Sequence, residues 1–311
     1  MNLLRVLPVR ALPELVQEAA QDAAEHGAES SGAMPMSELS DFASHHIADA
    51  TEIEIFGMHW SLDFLSIPPI DIGPLTIDLS PTRQVVVIVV VAVLMLVTFI
   101  LLAGALRKKH KEKAPSGFAN AMEAMIIYFR DDVVRANIGH GADAFTPFIL
   151  TLFFFILGMN LIGLTPLGIT PTANISVTAA LAVITLVVVE VSGFRALGPA
   201  GYARTIFFLP PGLPGFMKLP MLAILTVVEA IGKLAKPVAL TIRLMANMTA
   251  GHTLLLLLLG MIFVLQSYLM GIAAVAMGSV LMILELFVAC LQAYIFAMLT
   301  SVFIGLIRHA H

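Results

Sequence analysis

LPMLAILTVVEAIGKLAKPVALTIRLMANMTAGHTLLLLLLGMIFVLQSYLMGIAAVAMGSVLMILELFVACLQAYIFAMLTSVFIGLI, residues 219–307, is an almost unbroken apolar run, interrupted only at Gln266–Ser267. Split there, it yields two helices of roughly 40–47 and 40 residues, each about 60–70 Å long at 1.5 Å per residue. A bilayer's hydrocarbon core is only about 30 Å thick. The two helices must therefore break again or lie steeply tilted, beyond the ordinary span tilt of about 20°. Pro237 is the residue placed to bend the first, because its ring removes a backbone hydrogen bond. Length alone predicts a tilted helical hairpin over 219–308.

Working outward, three shorter apolar stretches reach membrane length: 84–106, about 145–164 up to Pro166, and about 175–191. The whole chain has 311 residues, 59% of them hydrophobic, with 12% charged and a mean hydropathy of +0.95. Soluble domains carry about 25% charged residues. The composition predicts an all-α integral membrane protein of about five membrane helices, the last two long and paired. Loops 107–144 and 194–218 separate the first helix, the pair over 145–193 and the final hairpin.

The charge of the loops orients these spans. Arg107, Lys108, Lys109, Lys111, Lys113, Arg130 and Arg135 fall in the first loop, and Arg195, Arg204 and Lys218 in the next. The intervening loop 165–174 has no Lys or Arg. The positive-inside rule then places the N-terminus outside and the C-terminus inside. Within the first loop, Phe118, Met122, Met125, Ile126 and Phe129 share one helical face, predicting an amphipathic helix on the inner surface.

Residues 1–83 differ from the rest. They hold 13 of the 21 acidic residues and 3 of the 17 basic ones. The first 16 resemble a weak targeting segment with Arg5 and Arg10, its apolar core broken by Pro8 and Pro13. Residues 14–54 are acidic and poor in aromatics, the composition of a mobile segment. From 53 to 81 apolar and polar residues alternate between Pro and Gly, predicting short strands or an extended hairpin. The net charge of −4 and the absence of a basic patch with interleaved aromatics argue against nucleic acid. Phosphate-cradling, zinc-protease and CxxC motifs are absent, so no cofactor is predicted. His45–His46 alone is weak evidence for a metal. Cys290, the single cysteine, sits in an apolar run and reads as a small core residue.

The informative residues are the ionisable ones inside the hairpin: Glu229, Lys233, Lys236, Arg243, His252 and Glu285. At about 100° per residue, and with Glu229 at zero, Lys233 lies at 40°, Lys236 at −20°, Arg243 at −40° and Asn247 at 0°. They form one polar stripe; His252 falls off it. Glu229 and Lys233 are spaced i, i+4 and read as a self-neutralising pair near the inner end, or as part of an ion path. Lys236 reads as a snorkelling lysine or as a channel group. Arg243 has no carboxylate within four residues, which leaves an internal bridge to Glu285 or a carboxylate on another chain. His252 reads as a hydrogen-bonded core histidine or a proton carrier. Glu285, a carboxylate in a membrane helix, is a functional candidate by default. Gln292, seven residues on, shares its face.

LAKPVALTIRLMANMTAGH (residues 234–252) resembles the signature of subunit a of F-type ATP synthases, and LELFVACLQAYIFAMLT (284–300) resembles its final helix. FANAMEAMI, GMNLIGLTP (158–166) and TPTANIS (170–176) agree in order. The resemblance covers about 84–308. It implies a stator subunit with two half-channels, in a bacterial inner membrane or, alternatively, a mitochondrial one. Its partners would be the rotor ring of c subunits, b-type peripheral-stalk subunits and the rest of the synthase.

The resemblance also assigns roles. Arg243 matches the arginine facing the ring, and Asn247 and Gln292 match the polar residues flanking it. His252 and Glu285 match the interacting pair of the outer half-channel, with the two residue types exchanged relative to many bacterial relatives. Asn160 and Asn174 match residues lining the outer entry, and Glu229, with Lys236 nearby, the inner half-channel. Some relatives carry an acidic residue where this chain has Gly163. A guanidinium keeps its charge at physiological pH, so Arg243 would act electrostatically rather than as a proton relay. An ion-coupled secondary transporter is the alternative class, although no inverted repeat with broken helices is found. Neither the choice between H⁺ and Na⁺ nor the ring size is readable here.

Overall fold

The computed structural model describes residues 52–55, 58–61, 70–72, 75–77, 82–109, 117–165, 169–207 and 214–309. The targeting-like segment, most of the acidic stretch and His45–His46 lie outside these residues. Two antiparallel pairs precede the helices. β1 (Glu52–Ile55) pairs with β2 (Met58–Ser61), with Ile53 opposite Trp60. β3 (Ile70–Ile72) pairs with β4 (Leu75–Ile77), with Asp71 opposite Thr76.

The helical part runs α1 (Arg83–Lys109), α2 (Phe118–Tyr128), a π-helical turn (Phe129–Arg135), α3 (Thr146–Gly163), α4 (Ile175–Ile206), α5 (Gly215–Leu265) and α6 (Tyr268–Arg308). Five of these, all but α2 and the π-helical turn, are long and apolar enough to cross a membrane. α5 and α6 contain 51 and 41 residues. α5 stays helical through Pro220 and Pro237, so neither proline ends it. The break falls at Gln266 and Ser267, where Gln266 takes φ 43°, a left-handed backbone that no helix continues through. The third span outruns its apolar stretch. α4 continues to Ile206 across a kink at Gly198, whose φ of 69° requires glycine just before Pro199.

The chain divides into two compact units. One contains residues 250–284, the end of α5 and the start of α6; there Leu258, Leu259 and Ile262 face Gly278 and Gly271 across the pair. The other contains Asp49–Thr249 and Glu285–His311. Its core is built from α1, the 129–138 region, α3, α4 and the halves of α5 and α6 that belong to it, with Ile138, Ile149, Ile156, Met159, Leu244 and Phe296 sealed from solvent. The apolar face predicted over 116–136 divides in two: Met122 and Phe129 are buried in this core, whereas Phe118 is 68% exposed.

The C-terminal part of α6 is bolted to the 129–144 region. Ser301 Oγ donates to the Val133 carbonyl at 2.9 Å, and Arg308 donates to the His140 carbonyl at 2.9 Å. Gly305 lies so close to Asn137 that an added Cβ would sit 2.0 Å from its carbonyl oxygen. On the surface of this region Arg135 bridges Asp131 and Asp143. The Arg135 hydrogen bond holds the Asp143 carboxyl below the usual range, and Arg130 does the same for Asp131.

Candidate functional site

Arg243 projects from α5 and is exposed, in a run where Leu240, Leu244 and Met248 turn into the core. Among the described residues it has no ion pair. The internal bridge to Glu285 left open by the sequence is therefore not made. Its surroundings are small or apolar: Ala235, Ala239 and Ala246 are exposed beside it, as is Ile242. One turn on, Asn247 Nδ2 donates to Gln292 Oε1 at 3.1 Å, tying α5 to α6 at this level.

On α6, Glu285 and Gln292 are buried, at 8% and 2% exposure. Glu285 Oε1 and Gln292 Nε2 have no hydrogen-bond partner among the described residues. Between them, the Ala289 carbonyl accepts from Asn160 Nδ2 at 3.2 Å, and Asn160 Oδ1 accepts from the Thr172 hydroxyl at 2.7 Å. Asn160 and Thr172 are fully buried, so this polar chain is sealed. It links α3, the 3₁₀ turn Pro171–Ala173 and α6. Asn174 caps α4, its Oδ1 accepting from the Ser176 amide at 2.8 Å. The Gly163 position is tightly enclosed: a Cβ there would meet Thr170 Oγ1 at 2.5 Å. His252 is half-buried in the 250–284 unit.

The ion pair expected between Glu229 and Lys233 is not formed. Lys233 Nζ instead reaches Glu190 Oε2 on α4, at 3.2 Å, and lies 4.6 Å over the Tyr202 ring. The Tyr202 hydroxyl donates to the same Glu190 oxygen. The cross-helix partner wins because α4 brings a carboxylate and a phenol to one point. On the helix surface Glu229 is free to turn towards the adjacent cavity. That cavity, about 120 Å³, is lined by Glu190, Glu229, Lys233 and Lys236 together with apolar side chains from α4, α5 and α6. Lys236 Nζ also lies 5.0 Å from the Phe303 ring centroid. Glu190, Tyr202 and Thr172 are polar members of the site that sequence spacing did not single out. An acidic residue at the end of the third apolar stretch was the available signal for the first. Among the described residues no cluster of three or more His, Cys, Asp or Glu side chains could hold a metal.

The chain matches known proteins over most of its length. The family described as ATP synthase A chain matches residues 85–305. The chain is 42% identical over 266 residues to the ATP synthase subunit a of Chloroherpeton thalassium, covering 85% of this chain and 75% of that one. It is 41% identical over 290 residues to the ATP synthase subunit a of Pelodictyon phaeoclathratiforme, covering 93% and 79%. It is 39% identical over 311 residues to that of Anaeromyxobacter dehalogenans, covering 96% and 78%. With five membrane-length helices, a long final pair and a match across most of its length, the chain belongs to the ATP synthase subunit a family, the membrane subunits of the synthase.

Proposed function

We propose that this chain is the proton-translocating stator subunit of its synthase, with Arg243 facing the carboxylates of a c-subunit rotor ring. The observation that carries this reading is a guanidinium on an apolar helix with no counter-ion among the described residues. A charge in hydrocarbon costs from about 2.5 to more than 10 kcal/mol. Its complement must then come from another chain, and the exposed alanines beside it leave room for a second helix to approach closely.

The chemistry follows from fixed charge. A rotor carboxylate crosses lipid in its protonated form. Opposite Arg243 the positive charge favours the carboxylate, so the proton departs. The same charge separates two aqueous paths and blocks a direct leak. His252 and Glu285, an imidazole and a carboxylate that can each accept and release a proton, form the outer path. Asn160 and Asn174 belong to its wall; their oxygens are committed to Thr172 and the Ser176 amide, so they shape the entry rather than relay protons. Glu229 and Lys236 line the inner path. Each charge moved across 100 mV releases about 2.3 kcal/mol, and several such steps drive one ATP.

In this arrangement the chain has no catalytic site of its own. It sits in the bacterial inner membrane with its N-terminus outside and C-terminus inside, and it contacts b-type peripheral-stalk subunits. The test is Arg243→Ala in the complete synthase reconstituted into liposomes. Proton-driven ATP synthesis is abolished, while His252→Ala or Glu285→Gln lowers it less completely. Wild-type synthesis in the Arg243 variant would overturn the reading.

A further inference from the structure

The cavity between α4, α5 and α6 lies beside the part of α5 that precedes Arg243. Along α5 its lining extends from Glu229 to Leu240, one turn short of Arg243. At a rise of about 1.5 Å per residue, Lys233 lies about 15 Å and Glu229 about 21 Å from the Arg243 level. A volume of about 120 Å³ holds several waters, since a single one needs roughly 10–15 Å³ by the same measure. Two carboxylates and two ammonium groups on its wall are a costly way to line a void that only needs to be filled.

Glu190 stands out within this set. Both of its donors, Tyr202 and Lys233, converge on Oε2. Among the described residues no group donates to Oε1. A staple between two helices would use the carboxylate at one oxygen and needs nothing more. Here the second oxygen is left free while the first is pinned, so the group is oriented and yet able to take up a proton. The side chains of Lys233 and Glu190 are 16% and 24% exposed, which keeps them in contact with the cavity without surrendering them to bulk solvent.

We infer that Glu190 is a second proton-exchanging carboxylate of the inner passage, oriented by Tyr202 and Lys233 and acting in series with Glu229. The inference rests on the stator reading proposed above. The step is a simple transfer: a proton released opposite Arg243 passes through water to Glu190 Oε1, forming a carboxylic acid, and leaves that oxygen to water on the inner side, restoring the carboxylate. Tyr202 and Lys233 keep their own protons and act as positioning residues. Glu229 and Lys236 are the other charged groups on the cavity wall.

The test compares Glu190→Gln with Glu190→Asp in the complete synthase in liposomes. The assay is passive proton conduction through the membrane sector under a potassium diffusion potential, normalised to the rotor ring that co-purifies. Glutamine retains an oxygen for Tyr202 and Lys233, so it preserves the staple and removes only the titrating group. Conduction in E190Q falls about tenfold, less than the 10²–10⁴ of a sole acid–base group because Glu229 and water remain. E190D keeps more than half of the wild-type rate. A wild-type rate in E190Q overturns the inference, and so does an E190D rate as low as that of E190Q, which would mark a packing role. Arg243→Ala in the same vesicles separates the two levels: continued ATP synthesis there sinks the stator reading, whereas a dead Arg243 variant beside a normal E190Q sinks only this one.

Discussion

Replacing Thr172 by valine tests whether the sealed polar chain positions α6. Valine keeps the shape and removes the hydroxyl that donates to Asn160 Oδ1 at 2.7 Å. Thr172 and Asn160 are both at 0% exposure, so no solvent reaches the orphaned oxygen. An unsatisfied buried acceptor costs about 1–3 kcal/mol. Hydrogen bonds between membrane helices average only about 0.6 kcal/mol and reach about 1.7, because the unfolded chain also finds partners. Full burial on both sides puts T172V at the upper end of the membrane range, about 1–1.5 kcal/mol, or close to tenfold in the unfolding equilibrium. The assay is SDS-driven unfolding of the subunit in mixed micelles, followed by circular dichroism, as a double-mutant cycle with Asn160→Leu. With Asn160 already gone the hydroxyl has lost its acceptor, so T172V then costs less than about 0.5 kcal/mol. Equal costs in both backgrounds would refute the argument. Because the Ala289 carbonyl, the far end of this chain, lies one turn from both Glu285 and Gln292, T172V also slows proton conduction without abolishing it.

Two other predictions concern the inner side. Gly305→Ala forces a methyl group to 2.0 Å from the Asn137 carbonyl, a backbone atom that cannot rotate away, and overpacking of this kind costs about 1–3 kcal/mol or more. The thermal midpoint of the purified complex falls, and the C-terminal end of α6 becomes cleavable by protease; an unchanged midpoint rejects the docking described for Ser301 and Arg308. The second is a pH dependence. The Asp143 carboxyl is held below its unfolded value by Arg135, so its contribution is fully present above an unfolded pKa of about 3.9 and is lost as pH falls through the lower folded value. The protection of amides 139–145, read by mass spectrometry and corrected for the intrinsic pH dependence of exchange, stays constant from pH 8 to 5 and falls only in stronger acid. A loss of protection between pH 7 and 5 would contradict the pairing.

What the sequence made legible was whatever depends on one helix at a time. The apolar run over 219–307 yields a long pair broken at Gln266–Ser267 because length and a short polar interruption are local properties. Arg243 could be singled out because no carboxylate lies within reach on its own helix. Partner choice was not legible. For Lys233, spacing offers Glu229 one turn away, but packing supplies Glu190 from 43 residues upstream together with a phenol. Spacing reports only neighbours on the same helix surface, and such a pair is worth a few tenths of a kcal/mol, so any well-placed cross-helix carboxylate displaces it. Thr172 was invisible for the same reason: its hydroxyl matters only because α3 brings Asn160 beside it. The extension of α4 to Ile206 was missed because the apolar stretch ends near residue 191, whereas the helix runs on through polar residues and across a kink at Gly198.

Lys233 and Arg243, ten positions apart on α5, show how one apolar helix can treat a positive charge in opposite ways. Lys233 is compensated within the chain, by Glu190 and by the Tyr202 ring, and is largely withdrawn from the surface. A compensated pair of this kind contributes little net stability, since desolvation offsets the attraction, but it fixes where its members sit. Arg243 is presented at the surface with its charge unspent, beside alanines and next to an asparagine held by Gln292. Had it been compensated internally, the energy of any incoming carboxylate would be spent on breaking that pair first, and a moving partner would stall or never bind. An arginine suits the exposed position because its charge persists whatever the neighbouring group does, while a lysine can lose its proton when desolvated. The same logic extends to α6, where Glu285 Oε1 and Gln292 Nε2 are buried without partners among the described residues. Under the proposed function, these are the groups on α6 that a transferred proton or a water could engage without first breaking an existing hydrogen bond.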